Sequence, residues 1–483
     1  MNSNLSQPMQ TADAQHAIVI GGSIAGLTLA RILTDYFARV TIVERDRLPE
    51  TPAFRKGVPH ARHAHILLAR GQMILEELFP GLSQELLAGG AVNVNMGSEY
   101  VFFVQNAWSQ RYQSALNQIG CSRALLEHTI YRRVAAHPKV QFLQEHEALG
   151  LCTDANGTRV TGLRVRDRRE GALPETVLHA DLVLDASGRD SHAPQWLTSL
   201  GYTAPEEVCI NPFPGYASRI YQRPAHFKET WKGLYVMPAA PAQTRGGVIL
   251  PMEGNRWQVT IAGLAKDYPP TDEAGFLEFA RNMPSPALYE AIKGAEPLTA
   301  PYGYRKAENR RRYYEKLPRY LEGFLVGGDA VYAFNPVYAQ GMSVAAIGSQ
   351  ILGACLQEQR QRHANGDLTG LAKNFQQKLA QVIEGPWQMA TSQDLRYATT
   401  EGGKAPDAIT KLIQGYMDQV LRTMPRNPAV AEAFFHVQHM LKPPTSLFHP
   451  RLLWQVLGPQ WRRSPLNTIA RRETQAPSAV SGD

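Results

Sequence analysis

Cysteine is scarce in this sequence. Four residues in 483, Cys121, Cys152, Cys209 and Cys355, lie far apart with no CxxC pair. Such spacing encodes neither a zinc ribbon nor a disulfide scaffold and fits a reducing cytoplasm. No uncharged apolar run approaches the roughly 18 residues a membrane helix needs, so no integral membrane segment is expected. Residues 1–15 lack the basic flank and apolar stretch of a signal peptide and read as a disordered lead-in. No repeat unit recurs along the chain. Charge bias is slight: 50 Lys plus Arg stand against 43 Asp plus Glu. No basic and aromatic residues interleave into a nucleic-acid platform, so nucleic acid is not an expected partner. What is present is globular, since 44% hydrophobic residues exclude disorder and polar low complexity. The length asks for a large multi-lobed unit or two to three domains.

The first ordered pattern is the apolar run Ala17-Ile-Val-Ile20, followed by Gly21-Gly22-Ser23-Ile24-Ala25-Gly26 and then Leu27, Leu29, Ile32 and Leu33 at helical spacing. Gly21, Ser23 and Gly26 occupy the three positions of G-x-G-x-x-G. The first permits a tight turn, the small middle residue lets backbone approach a pyrophosphate, and the third lets the helix pack on the sheet. A second strand, Val40-Thr-Ile-Val43, ends in Glu44 and Arg45, which places an acid about 20 residues beyond the turn. An acid there accepts from the adenosine ribose hydroxyls and disfavours a 2′-phosphate, so the site suits FAD or NAD better than NADP.

Further along, residues 90–118 read as strand segments and Arg123 to Val134 as a helix. Val140–Leu143 and Thr158–Arg166 read as strands joined by the hairpin signal Asp154-Ala-Asn-Gly157. Asp181–Asp185 and Gly323–Gly327 have the buried-strand pattern, the aromatic- and proline-rich stretch 191–300 reads as an inserted antiparallel sheet, and the chain beyond 371 is helical.

Asp181 to Arg189 and Gly323 to Ala346 resemble the second and third fingerprints of FAD-dependent monooxygenases of the p-hydroxybenzoate hydroxylase type. The late segment reads Gly328-Asp329-Ala-Val-Tyr-Ala-Phe-Asn335-Pro336-Val-Tyr-Ala-Gln-Gly341-Met342. With Arg55-Lys-Gly-Val-Pro-His60-Ala-Arg62-His63-Ala-His65, it is also similar to a bacterial branch containing the olefin epoxidases of polyether biosynthesis. The superfamily often has His after Gly-Asp-Ala, where this chain has Val331-Tyr332, so no role of that His transfers. The halogenase motif Trp-x-Trp-x-Ile-Pro is absent.

The resemblance implies an α/β fold with an α+β insertion. A Rossmann-like FAD-binding lobe with ββα layers is expected over 16–90, 119–190 and 301–370, an antiparallel substrate-binding sheet over 91–118 and 191–300, a helical region over 371–470 and a tail over 471–483. It implies a single-component enzyme in which NAD(P)H reduces FAD transiently, O2 forms a flavin C4a-hydroperoxide, and one oxygen passes to a small, largely apolar substrate by epoxidation or hydroxylation. A phenol hydroxylase, a reductase of the geranylgeranyl reductase kind and a non-enzymatic flavin-binding regulator are the rival readings.

For the cofactor, Gly21, Gly22, Ser23, Ala25, Gly26, Glu44 and Arg45 belong to the first fingerprint. Asp329 at a strand end suits ribityl or ribose hydroxyls, and the Gly341-Met342 peptide after Pro336 aims N–H groups at the flavin N1/O2 edge. Arg123 resembles the family's residue that reaches FAD; Arg62 or Arg55 would neutralise the pyrophosphate or lie on the surface. His60, His63 and His65 have no Cys or acid completing a metal set, so a flavin contact or local structure is the reading and metal is not. Phe103, Tyr216, Tyr235 and Trp257 are candidate substrate-pocket liners, with core packing the alternative. The basic stretch Arg305 to Arg319 could receive NAD(P)H phosphates or form a solvated face.

Overall fold

The computed structural model describes residues 15–169 and 174–458. The lead-in apart from Gln15, the tail 471–483 and the end of the helical region past 458 lie outside the described residues. At the centre is a five-stranded sheet in the order Phe324–Val326, Leu182–Asp185, His16–Ile20, Arg39–Glu44, Val140–Gln144, every neighbouring pair parallel. The three inner strands are largely apolar because both helices and the three-stranded antiparallel sheet of His146–Thr153, Val160–Asp167 and Thr176–His179 pack against them. Helix Ile24–Leu33 packs on helix Gly341–Arg362, so the first and last segments of the FAD lobe meet although more than 300 residues separate them in sequence.

A second sheet has seven strands, ordered Tyr302–Tyr304, Gly215–Gln222, Arg256–Gly263, Arg245–Met252, Gly233–Val236, Tyr100–Val104 and Ala107–Trp108. All pairings are antiparallel except Gly233–Val236 with Tyr100–Val104. Strand alternation assigns its two faces. Ala217, Trp257, Val259 and Ile261 look outward under helices Glu273–Arg281 and Ala287–Ile292, while Tyr216, Ser218, Thr260 and Ala262 look toward the FAD lobe. Helices Leu371–Asp394, Ala408–Thr423, Pro428–Gln438 and Pro450–Leu457 complete the chain.

One local expectation is corrected. The turn at Asp154–Gly157 joins His146–Thr153 to Val160–Asp167, whereas Val140–Gln144 is the edge of the parallel sheet. Between them the chain is redirected by the single residue Glu145, whose φ is 58°. Left-handed backbone normally announces itself as Gly or Asn, and glutamate gives no such signal.

Candidate functional site

At the carboxyl end of the central sheet, the turn after His16–Ile20 opens the helix that would receive a pyrophosphate. Gly21 adopts φ +101° and its N–H donates to Val43 O at 2.8 Å. Gly22 N–H donates to Glu44 Oε2 at 2.7 Å, and Asp46 N–H to Glu44 Oε1 at 2.9 Å, so the acid is held by backbone on both oxygens. Arg55 then fills the space between three carboxylates: Glu44 at 3.2 Å, Asp46 at 3.0 Å and Glu127 at 3.0 Å. Arg123, on the first turn of helix Arg123–Ala135, reaches Ser23 Oγ at 2.8 Å and Glu127 at 2.6 Å. Burial opposes the charge on Glu127, but Arg123 and Arg55 outweigh it and hold its carboxyl below the usual range.

A cavity of about 370 Å³ runs from this turn to the seven-stranded sheet. Gly21, Gly22, Ser23, Ala25, Glu44, Arg45, Arg123, Asp329, Pro336, Gly341 and Met342 all line it, with Tyr216 and Tyr235 at the far end. Gly26 stands behind the turn, where a Cβ would come within 1.8 Å of Gly21 O.

The protein leaves groups here that ask for a ligand. Both amide atoms of Gln340 and Arg123 Nε are buried without a partner. The Asp329 carboxyl faces the cavity and bonds no protein group among the described residues; burial pushes its pKa up against the pull of Arg189 and Arg123. A Cβ built on Gly341 meets nothing within 4 Å, so the first turn of a 22-residue helix presents bare N–H groups to open space. Ala339, in left-handed backbone at φ 56°, turns the chain into that helix. Anion-accepting N–H groups at two helix starts and an acid for hydroxyls are a donor set that fits FAD.

The FAD binding domain family model matches residues 14–382. The chain belongs to that family. FAD is therefore its cofactor, and the chain is an FAD-dependent oxidoreductase by family. It is 30% identical over 434 residues to Protein Rv3254 of Mycobacterium tuberculosis (strain ATCC 25618 / H37Rv), covering 87% of this chain and 88% of that protein. Among solved structures it shares its fold with a flavoprotein/dehydrogenase from Cytophaga hutchinsonii (TM-score 0.63, 16% identity, 91% of this chain and 96% of that one). It also shares it with p-nitrophenol 4-monooxygenase PnpA from Pseudomonas putida DLL-E4 (TM-score 0.60, 15% identity, 89% and 99%).

Two groups of expected site residues are not where sequence reading put them. Arg62 is off the cavity wall, stacked on Tyr302 at 4.2 Å and Phe54 at 5.1 Å; Arg55 is the arginine at the turn. Phe103 and Trp257 belong to the outward face of the sheet, Phe103 against Trp108 at 5.2 Å and Trp257 between Trp231 and Phe227. Their even-numbered neighbours on the same strands carry the inner face, a phase that an isolated aromatic does not reveal. His60, His63 and His65 do line the cavity, and burial leads in lowering the pKa of each, to about 3 for His60 and about 4 for His63, so they are neutral. Among the described residues no group of three His, Cys, Asp or Glu is placed to hold a metal ion.

The basic stretch is engaged within the protein. Lys306 pairs with Asp190, Arg310 with Glu308, Arg311 with Glu315 and Glu384, Arg312 with Glu207 and Lys316 with Glu206, while Arg305 and Arg319 lie over Tyr268 and Tyr202.

Asp329→Ala removes an acid that faces the cavity without unpairing any protein group. A charge-assisted hydrogen bond is worth about 1.5–3 kcal/mol, so the FAD dissociation constant rises roughly 10- to 100-fold while the cofactor-free protein melts as the parent does. Fluorescence titration with FAD checks this; an unchanged affinity would mean the acid does not face the cofactor.

Sequence reading gave no hint of the brace behind the flavin loop. Asp394, at the end of helix Leu371–Asp394, is fully buried and accepts from Asn309 Nδ2 at 2.6 Å, Asn335 Nδ2 at 3.1 Å and Tyr338 OH at 2.6 Å. Asn335 Oδ1 in turn accepts from Tyr216 OH at 2.5 Å. Burial raises the Asp394 pKa to about 6 despite those three donors. The folded state thus holds this proton more tightly than the unfolded chain, and the stability it contributes is full below about pH 4 and lost as pH rises through about 6. Asp394→Asn keeps the shape without the charge. Its unfolding free energy, followed by melting curves, gains on the parent's by an amount on the order of 2–3 kcal/mol between about pH 4 and 6 and no further above. A pH-independent difference would show the carboxyl is not the titrating group.

Proposed function

We propose that the protein is a single-component FAD monooxygenase that uses NAD(P)H and O2 to epoxidise or hydroxylate a neutral, largely apolar small molecule. The observation that carries this reading is the division of the cavity wall. Its charged members, Glu44, Arg45, Arg55, Arg123, Glu147, Asp190 and Asp329, all belong to the FAD lobe, while the wall supplied by the seven-stranded sheet has no ionised side chain. Tyr216, Tyr235, Val248 and Ala262 there surround space for an uncharged ligand.

When bound, FAD supplies hydride acceptance from NAD(P)H and activation of O2 for transfer of one oxygen atom. The balance is substrate, NAD(P)H, a proton and O2 going to oxygenated substrate, NAD(P)+ and water. The chain's own residues bind and exclude. Glu44 and Asp329 would accept from the cofactor's hydroxyls, and the N–H groups at Gly341 and Met342 would favour electron-rich flavin. Tyr216 and Tyr235 tie the sheet to the loop by donating to Asn335 Oδ1 and Val337 O, which fixes the sheet wall against the loop.

The test is product analysis under ¹⁸O2 with neutral phenols and polyenes, alongside NAD(P)H and O2 consumption. One labelled oxygen per product and one NAD(P)H per O2 are expected. Product formed equally without oxygen would replace this reading with a flavin reductase.

A further inference from the structure

Three imidazoles, at His60, His63 and His65, stand where the FAD lobe meets the substrate sheet, and their hydrogen bonds differ. His65 Nδ1 lies 3.0 Å from His63 O, a carbonyl that only accepts, so that nitrogen carries the proton and is engaged. His63 Nδ1 lies 2.8 Å from Ser218 Oγ, which lies 2.6 Å from Thr260 Oγ1, which already accepts from Ala64 N–H at 2.9 Å.

Counting donors sets the direction of that chain. Thr260 has one hydroxyl hydrogen and one partner able to take it, Ser218 Oγ; Ser218 then passes its own to His63 Nδ1. The reverse order would leave the Thr260 hydrogen without an acceptor in the protein. His63 is thereby held with its proton on Nε2, and Nε2 has no protein partner among the described residues. The other hydroxyls on this wall are mostly engaged: Tyr216 donates to Asn335 Oδ1 and Tyr235 to Val337 O. Tyr304, whose ring centroid is 5.5 Å from that of His63, makes no side-chain hydrogen bond among the described residues.

We propose that His63 Nε2–H, with the Tyr304 hydroxyl beside it, is the polar pole of the substrate cavity and binds one hydrogen-bond-accepting oxygen, a carbonyl or phenol oxygen, on an otherwise apolar neutral substrate. This rests on the reading of the sheet wall as the substrate side. Because the imidazole is neutral, it offers a donor without the charge that would draw in carboxylates. Anchoring that oxygen at His63 orients the rest of the molecule along the apolar wall toward the flavin loop.

The probes are 1-tetralone and tetralin, which share a bicyclic skeleton and differ in the carbonyl. Calorimetric titration of the FAD-loaded protein is expected to show the ketone bound about tenfold more tightly. His63→Phe keeps a ring against Tyr304 and Tyr216 but no donor. It should bind tetralin as the parent does and lose the preference for the ketone, while His63→Gln, which restores an N–H, recovers part of it. Tyr304→Phe, a change of one hydroxyl, should lower the preference partway and serves if the His63→Phe variant does not fold. Equal affinity for the two probes in the parent, binding of neither, or a preference untouched in both the His63 and Tyr304 variants overturns the proposal. Flavin content is read separately: colourless protein counts against the FAD site itself, whereas yellow protein without ketone preference counts only against the His63 pole.

Discussion

Gly26→Val gives protein that neither accumulates in folded form nor turns yellow. A Cβ at this position lies 1.8 Å from Gly21 O and 2.9 Å from Gly21 C, and both are backbone atoms of the turn that the helix springs from. No rotamer change relieves that overlap. Either the turn abandons its φ of +101° at Gly21 or helix Ile24–Leu33 lifts from the sheet, exposing Ile24, Leu27 and Leu29, which are at most 2% exposed. Each such side chain is worth about 1.5–3 kcal/mol of burial, and the whole fold is stable by only about 5–15 kcal/mol. Even Gly26→Ala should lose most of its flavin. Gly341→Ala is the informative contrast: its Cβ enters the cavity and meets no protein atom, so the chain should melt like the parent and bind FAD less well. Soluble yield, melting temperature and the ratio of flavin to protein absorbance distinguish a glycine needed by the fold from one needed by the cofactor. A folded, yellow Gly26→Val variant would refute the assigned turn.

That contrast also marks what could be read without a structure. The strand, the glycine turn, its helix and Glu44 lie within some 30 consecutive residues, and their spacing follows from one local geometry, so the sequence displays them directly. Asp329 and Gly341 were legible because each stands at a strand end or helix start, where chemistry and backbone coincide. The partners of Arg55 were not. Glu127 is 72 residues away and comes to it only because helix Arg123–Ala135 crosses the turn, although its place four residues after Arg123 was a usable signal. Asp394 reaches Asn335 from a helix 59 residues later, and no local pattern predicts that approach. The basic stretch carries a surplus in sequence because, beyond Glu308 and Glu315 within it, its acids Glu206, Glu207, Glu384 and Asp190 lie elsewhere in the chain. Pocket tyrosines and core tryptophans alternate on the same sheet, and only the phase against the FAD lobe separates them.

The charge cluster at the turn carries the second large effect. Arg55→Met leaves Glu44, Asp46 and Glu127 facing one another with their shared cation gone. The Arg55 side chain is 8% exposed and those of its partners are 5%, 12% and 13% exposed, so water screens little of the resulting repulsion. Breaking a buried ion pair from one side costs about 3–5 kcal/mol. Backbone donors remain to Glu44, and Arg123 and Ser23 remain to Glu127, which keeps the loss within that range instead of tripling it. The sign with pH is fixed by the carboxylates. In the parent Glu127 titrates below its unfolded value, so its contribution is present above about pH 4.5 and lost as pH falls further. In the Arg55→Met variant the three acids gain from taking up protons, and the gap in melting temperature between parent and variant is largest near neutral pH and narrows as pH falls toward about 4. Flavin affinity should fall as well, because Glu44 no longer has the guanidinium that holds it beside Gly22. Melting curves across pH, with and without added FAD, read both effects; a gap that stays constant across pH would mean that Arg55 acts through packing and not through its charge.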